Sequence, residues 1–124
     1  MSNECCNGSS QTMILACSGA SNVGQLSNQA AVELTQEGVG KMFCLAGIGG
    51  NLGGFVQSAK DAESMVVMDG CAIGCAKAIF NNAGIPLKNH LVLTDLGIEK
   101  NKNFKLDPED VDKVKIAVKT LVNK

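Results

Sequence analysis

Four short apolar segments recur along this 124-residue chain, and residues with helical or turn character separate them. The segments are TMILAC (12–17), KMFCLA (41–46), SMVVM (64–68) and HLVLT (90–94). Uninterrupted apolar runs of this length, bounded by turn residues, are typical of strands that are buried on both faces of a parallel sheet. The chain is therefore predicted to contain four buried strands.

Helical patterns fill the intervals between these strands. Apolar residues spaced four apart predict a helix over 25–37, and shorter helices are expected over 55–62 and 71–82. A last helix is expected after Asp107, a favourable N-cap residue, with Pro108 at its first position and an apolar stripe that runs from Val111 to Val122. The pattern predicts that this helix packs on the sheet.

Strands that alternate with helices predict an α/β domain of three layers with a mostly parallel, four-stranded sheet. Right-handed crossovers favour the strand order 2-1-3-4, as in Rossmann-like and flavodoxin-like domains. We interpret residues 12–124 as a single α/β domain and the polar residues 1–11 as a flexible N-terminal tail. Ligands of such sheets bind beyond the carboxyl ends of the strands, here between the first and the third strand.

Composition excludes several classes of protein. The chain is 45% hydrophobic, which is too much for a disordered protein, and no apolar run is long enough to span a bilayer. A formal net charge of −1 and 3% aromatic residues argue against nucleic acid and anionic membranes as partners, and no protein partner is indicated. Because residues 1–8 do not resemble a secretory signal, we expect a cytoplasmic protein with reduced cysteines.

The cysteines are the most informative residues for function. Cys17 ends the first predicted strand, Cys44 lies late in the second, Cys71 follows the third soon after its end, and Cys75 comes four residues later. Residues four apart share one face of a helix, so the last two sulfurs are expected to face one ion from the start of the third helix. Four thiolates can hold Zn²⁺ in a tetrahedral site. The sequence thus predicts a zinc-binding protein with these four ligands.

The same thiols allow other chemistry. Cys71 is the candidate nucleophile of a thiol-redox or sulfur-transfer enzyme, with Cys75 or Cys17 as the resolving thiol. A disulfide between Cys17 and Cys71 is a further alternative, and an iron–sulfur cluster would use the same ligands. The catalytic residues of an enzyme, if it is one, are not defined by the sequence.

A glycine-rich segment covers residues 47–54 and is interpreted as a loop. It departs from the dinucleotide pattern because Leu52 stands in place of the last glycine, and from the P-loop pattern because Phe55 and Val56 replace the required lysine and hydroxyl residue. Close packing explains these glycines as well as a phosphate-binding role does.

Several polar residues near the predicted strands have structural roles that explain them without a ligand. Ser18, Ser21 and Asn22 are expected to cap the first helix or form its turn rather than bind a ligand. Asp69 is equally well explained as an acid, a base or an acceptor that supports the site, and as a turn former with Gly70. His90, the only histidine, begins the fourth strand and is expected to be a surface residue away from the cysteines.

Three ordered motifs carry a family resemblance: CSGASNVG (17–24), FCLAG (43–47) and DGCAIGC (69–75). Together they resemble the DGC-domain family, small proteins to which zinc binding is ascribed, over roughly residues 12–97. The resemblance implies a compact α/β fold and a cysteine-centred metal site on Cys17, Cys44, Cys71 and Cys75. It implies no particular activity. Cys5 and Cys6 lie outside the matching motifs.

Overall fold

A computed structural model describes residues 11–123 of the chain. Its centre is a four-stranded parallel sheet with the order β2-β1-β3-β4. The strands are β1 (Thr12–Ala16), β2 (Gly40–Met42), β3 (Met65–Asp69) and β4 (His90–Val92). The predicted strand order and parallel arrangement are confirmed.

The helices lie on both faces of this sheet. They are α1 (Asn22–Gln36), α2 (Leu45–Gly49), α3 (Gly53–Asp61), α4 (Cys75–Ala83) and α5 (Pro108–Val122), with a 3₁₀ helix at Leu93–Leu96. Within residues 11–123, no helix is long and apolar enough to cross a membrane. The expected tail at residues 1–11, apart from Gln11, lies outside the described residues, as do Cys5 and Cys6.

The two faces of the sheet carry separate hydrophobic cores. Successive side chains of β1 alternate between them: Ile14 packs with α1 and α5, whereas Leu15 packs with Ile48 of α2 and Phe80 of α4. All four of these side chains are buried. This alternation produces the predicted three layers of helix, sheet and helix.

The last helix agrees with its sequence signals. The Asp107 carboxylate accepts a hydrogen bond from the Glu109 amide at 2.9 Å, and Pro108 is the first helical residue. Val111, Val114 and Val118 are buried, so the apolar stripe packs inward as expected.

The glycine-rich segment is not a loop, and this prediction was wrong. Residues 45–49 and 53–61 form α2 and α3, with a turn between them in which Asn51 has a φ of 60°. A Cβ on Gly47 would lie 2.7 Å from Cγ of Phe55, so this glycine allows the two helices to pack closely. The second strand is correspondingly short, because the chain leaves the sheet after Met42.

The start of the third predicted helix was also wrong. Helix α4 begins at Cys75, whereas Cys71 lies in a turn before it. Gly74 precedes the helix with a φ of 72°, a left-handed conformation that glycine adopts without strain. The two cysteines therefore do not share one helical face, and their relationship depends on the turn.

Candidate functional site

A pocket of about 220 Å³ lies beyond the carboxyl ends of β1 and β3. Cys17 directly follows β1, and Cys71 follows β3 by two residues. Cys75 is the first residue of α4 and lines the same pocket. The neighbouring strands β1 and β3 lead to crossovers in opposite directions, so the pocket occupies the point at which the winding of the sheet reverses.

Close approach of two backbone segments shapes the pocket wall. A Cβ on Gly70 would lie 2.8 Å from the Gly24 amide nitrogen, and one on Gly24 would lie 2.6 Å from the Gly19 nitrogen. A side chain at Gly70 would therefore push the end of β3 away from the start of α1, and one at Gly24 would push the segment between β1 and α1 away from that helix. These glycines bring the segments that carry Cys17 and Cys71 together.

Three of the four predicted ligands line this pocket, and the fourth does not. Cys44 is exposed, stands at the N-cap position of α2, and is absent from the pocket lining. Cys17, Cys71 and Cys75 are also free thiols. In the described part of the chain, no group of three or more His, Cys, Asp or Glu side chains is arranged so that it could hold a metal ion.

Cys17 is a partly buried thiol of the pocket. Burial raises the pKa of its thiol above the ordinary value, and the amides of Gly70 and Gly19 oppose this effect. Negative charge on Cys75 or Asp69 would raise the pKa further. The neutral thiol is thus the favoured form of Cys17 near neutral pH in the absence of a metal.

Asp69 supports the site rather than lining it with a free carboxylate. Its side chain is buried, with 1% of its surface exposed. One carboxylate oxygen accepts from the Ala76 amide at 2.7 Å, and the other accepts from the Lys77 amide at 3.1 Å. The carboxylate therefore caps the first turn of α4, although it lies seven residues before Ala76 in the sequence. It fixes the position of the helix that begins at Cys75.

The expectation that His90 is an uninvolved surface residue was wrong. Its Nε2 lies 2.7 Å from Oδ2 of Asp69, and its side chain is only 21% exposed. His90 pairs in register with Val67, two residues before Asp69, so the histidine and the carboxylate lie diagonally on one face of the sheet. Because β4 is short and pairs with the last residues of β3, its first residue, His90, lies close to the last residue of β3, Asp69.

Two lysines at the pocket were missed by the sequence analysis. Lys100 Nζ donates to Cys71 Sγ at 3.4 Å, and Lys102 Nζ donates to the carbonyl oxygen of Ala20. Both residues line the pocket, although they are far from the cysteines in sequence. No motif marks them, because they lie in an irregular segment that only the tertiary structure places there.

The polar residues at the start of α1 have different roles. Ser21 is the N-cap, as expected, and its Oγ accepts from the Gly24 amide at 3.1 Å. The Ser18 hydroxyl instead accepts from the side chain of Gln25 at 3.5 Å. Asn22 is not a cap, and this expectation was wrong, since its side chain binds the segment that carries the two lysines.

The site combines soft sulfur donors with positive charge. Three thiols face a small pocket, two ammonium groups stand at its wall, and the N-terminal ends of α1 and α4 lie next to it. Thiolates are the sulfur species that bind soft metals, and both ammonium groups and helix N-termini stabilise their negative charge. The arrangement suits chemistry in which the cysteines become negatively charged.

The chain resembles known proteins over most of its length. The model of a family described as DGC domain matches residues 13–118. The chain is also similar to the "Anaerobic and virulence modulator AnvM" of Pseudomonas aeruginosa, with 29% identity over 110 residues that cover 89% of this chain and 84% of that protein. No solved structure matches the chain.

Proposed function

The chain belongs to the DGC domain family, and with that membership as the premise we propose that it binds zinc through the thiols of its pocket. Cys17, Cys71 and Cys75 are the ligands assigned to the pocket, and Cys44 is the fourth ligand that the sequence predicts. The observation that carries the proposal is that three of these four cysteines, from two segments more than 50 residues apart, line one small pocket.

The chemistry of the donor set supports zinc. Thiolates bind Zn²⁺ with a tetrahedral preference, and no other soft donor type is needed to complete such a site. As they stand, the side chains do not converge on a single point, so metal binding would draw the three sulfurs toward one another. The turn at residues 71–74 and the side-chain torsions of the cysteines provide this adjustment.

The surrounding charges favour the same proposal. Four thiolates and one Zn²⁺ sum to a charge of −2, which an uncharged pocket would stabilise poorly. Lys100 and Lys102 contribute two positive charges at the pocket wall, and Lys100 already donates to Cys71 Sγ. The lysines therefore offset the charge that a four-thiolate zinc site would introduce.

Cys44 is the ligand that needs the largest movement. It follows β2, the neighbour of β1 in the sheet, by two residues and comes just before α2, but its exposed thiol is outside the pocket lining. A site with three cysteines would leave one tetrahedral position for another ligand, whereas a site with four would be closed. Substitution of Cys44 distinguishes these two forms.

The proposal is tested by metal analysis of the full chain, purified without oxygen and without a metal-binding tag. We expect about one zinc per chain, and the pocket thiols should resist modification until a chelator removes the metal. Iron together with acid-labile sulfide would instead assign the alternative iron–sulfur cluster. A metal-free protein whose thiols are all reactive would overturn the proposal.

Single substitutions make the test specific. Cys17→Ser, Cys71→Ser and Cys75→Ser should each lower the zinc content at least tenfold, and Cys44→Ser should do the same if the site is closed by four thiolates. The matched control is the double variant Cys5→Ser/Cys6→Ser, because these cysteines lie outside the residues that match the family. Retention of zinc by Cys71→Ser would contradict the assignment.

A second candidate function is thiol–disulfide exchange, and the contact between Lys100 and Cys71 favours it. In this reaction the Cys71 thiolate attacks one sulfur of a disulfide substrate, forms a mixed disulfide and releases the other sulfur as a thiol. Cys75 or Cys17 then attacks the mixed disulfide, which releases the second thiol and leaves an intramolecular disulfide. The substrate disulfide is the oxidant, and the two cysteines are oxidised.

This candidate is tested on metal-free, reduced protein with oxidised glutathione as the disulfide. Exchange predicts that Cys71 is the first residue to be glutathionylated and that Lys100→Met slows the reaction several-fold, whereas Lys105→Met does not. Equal rates at Cys71 and the exposed Cys44 would exclude a specialised nucleophile.

A further inference from the structure

The positive charge at the pocket has no acidic partner in the described part of the chain. Lys115 and Lys119 form ion pairs with glutamates, but Lys100 and Lys102 form none with the carboxylates of residues 11–123. Their polar contacts are a sulfur atom and a backbone carbonyl oxygen. Two ammonium groups without a carboxylate therefore border one small pocket.

The segment that carries these lysines is held in place by Asn22. The Asn22 side-chain amide donates to the Glu99 carbonyl at 2.8 Å, and its oxygen accepts from the Asn101 amide at 2.6 Å. The Asn22 backbone amide also donates to the Asn101 carbonyl at 2.9 Å. Asn22 is buried, so these bonds fix residues 99–101 against the start of α1 and hold the adjacent lysines at the pocket.

The negative charge in the pocket lining belongs to one buried carboxylate that is already hydrogen-bonded. Asp69 is the acidic residue of the lining, but it is buried and accepts from two backbone amides and contacts His90. The remaining wall consists of thiols, glycines and small or apolar side chains. In the metal-free protein, the part of the pocket that faces solvent is therefore positive.

From this arrangement we infer that the metal-free pocket binds a phosphate group between Lys100 and Lys102. A phosphate monoester near neutral pH is largely a dianion, since its second pKa is about 6, and thus matches two ammonium groups better than a carboxylate does. A pocket of about 220 Å³ has room for such a group. This site is distinct from the glycine-rich segment 47–54, which forms helices elsewhere in the fold.

Calorimetric titration of the reduced, chelator-treated full chain tests the inference, with inorganic phosphate and glycerol 3-phosphate as probes at constant ionic strength. Saturable binding of either probe is expected at millimolar concentration or below. A tenfold preference for glycerol 3-phosphate would identify an organic phosphate ester as the ligand, and a tenfold preference for inorganic phosphate would identify the free ion. The absence of saturable binding of both probes would overturn the inference.

The variants separate a specific site from general attraction to a cation. Lys100→Met/Lys102→Met should weaken phosphate binding at least tenfold, and Asn22→Ala should weaken it several-fold because the segment is released. The matched control, Lys105→Met/Lys113→Met, removes the same charge from exposed positions and should change the affinity less than twofold. An equal loss in the control would refute the site. Because the protein is metal-free, failure of zinc binding leaves this result unaffected.

Discussion

Oδ2 of Asp69 and Nε2 of His90 lie 2.7 Å apart, which joins the end of β3 to the start of β4. The same carboxylate holds the amides of Ala76 and Lys77 in the first turn of α4. One buried side chain thus connects two strands and the helix that begins with a pocket cysteine. Asp69 is a positioning residue for Cys75.

Replacement of Asp69 by alanine should be strongly destabilising. The change leaves two helix amides and a partly buried histidine without their acceptor, at a cost of about 2–4 kcal/mol in the free energy of unfolding. Asp69→Asn keeps one acceptor oxygen and should cost less. Urea denaturation monitored by circular dichroism measures both variants. A loss below about 0.5 kcal/mol in Asp69→Ala would show that water replaces the carboxylate.

Alanine at Gly24 or Gly70 should distort the pocket. The added Cβ would meet backbone atoms at 2.6 Å and 2.8 Å respectively, and backbone cannot move as a flexible side chain can. We expect each variant to lose about 1–3 kcal/mol of stability, as is usual for overpacked sites. Gly54→Ala is the control, because that glycine lies in the first turn of α3 with open space around it, and the variant should be at least as stable as the unsubstituted protein. Thermal or urea unfolding measures the stability of the three variants. An equal change in stability for all three would contradict the packing argument.

The reactivity of Cys17 should show a distinctive pH dependence in the metal-free protein. Burial raises the pKa of this thiol above 9.0, so the reactive thiolate is scarce at neutral pH and its fraction keeps rising beyond pH 9. Alkylation with iodoacetamide, resolved by peptide mass spectrometry between pH 6 and pH 10, measures the rate at each cysteine. A Cys17 rate that levels off below pH 8 would contradict the prediction.

An ion-pair cluster between α1 and α5 should give pH-dependent stability. Hydrogen bonds from Lys115 lower the pKa of Glu37, and bonds from Gln29 and Lys115 lower that of Glu33, below the ordinary 4.5. These carboxylates in turn raise the pKa of Lys115 to about 12. The contribution of the cluster is therefore complete between about pH 5 and pH 10, and it is lost as the pH falls below 4.5 or rises toward 12.

Lys115→Met tests this cluster through the melting temperature. At pH 7 the variant should melt a few degrees below the unsubstituted protein, and the difference should shrink as the pH falls below 4.5 and the glutamates become protonated. Lys113→Met is the control, because Lys113 is exposed and forms no ion pair with residues 11–123. A difference that persists unchanged at pH 3 would assign the effect to packing of the lysine stem instead.

The sequence was sufficient for the architecture because its strongest signals are local. The apolar runs at β1 and β3, the four-residue spacing of Leu26, Ala30 and Leu34, and the capping residues of α5 each report on a short segment. Handedness rules then restrict the order of the strands to a few arrangements. Glycines misled the prediction at residues 47–54, because Gly47 is required by the packing of Phe55 from the next helix, and a glycine needed for packing looks the same in the sequence as a loop glycine.

The candidate site divides in the same way. From the sequence, Cys17, Cys71 and Cys75 could be assigned to one edge of the sheet, since parallel strands end on the same side. Only the tertiary structure decided that Cys44 lies outside the pocket lining, that His90 meets Asp69, and that Asn22 holds the segment of Lys100 and Lys102 at the pocket. These relationships depend on side-chain positions and on an irregular segment that lies more than 70 residues from Asn22, which holds it. Neither feature produces a periodic pattern in the sequence.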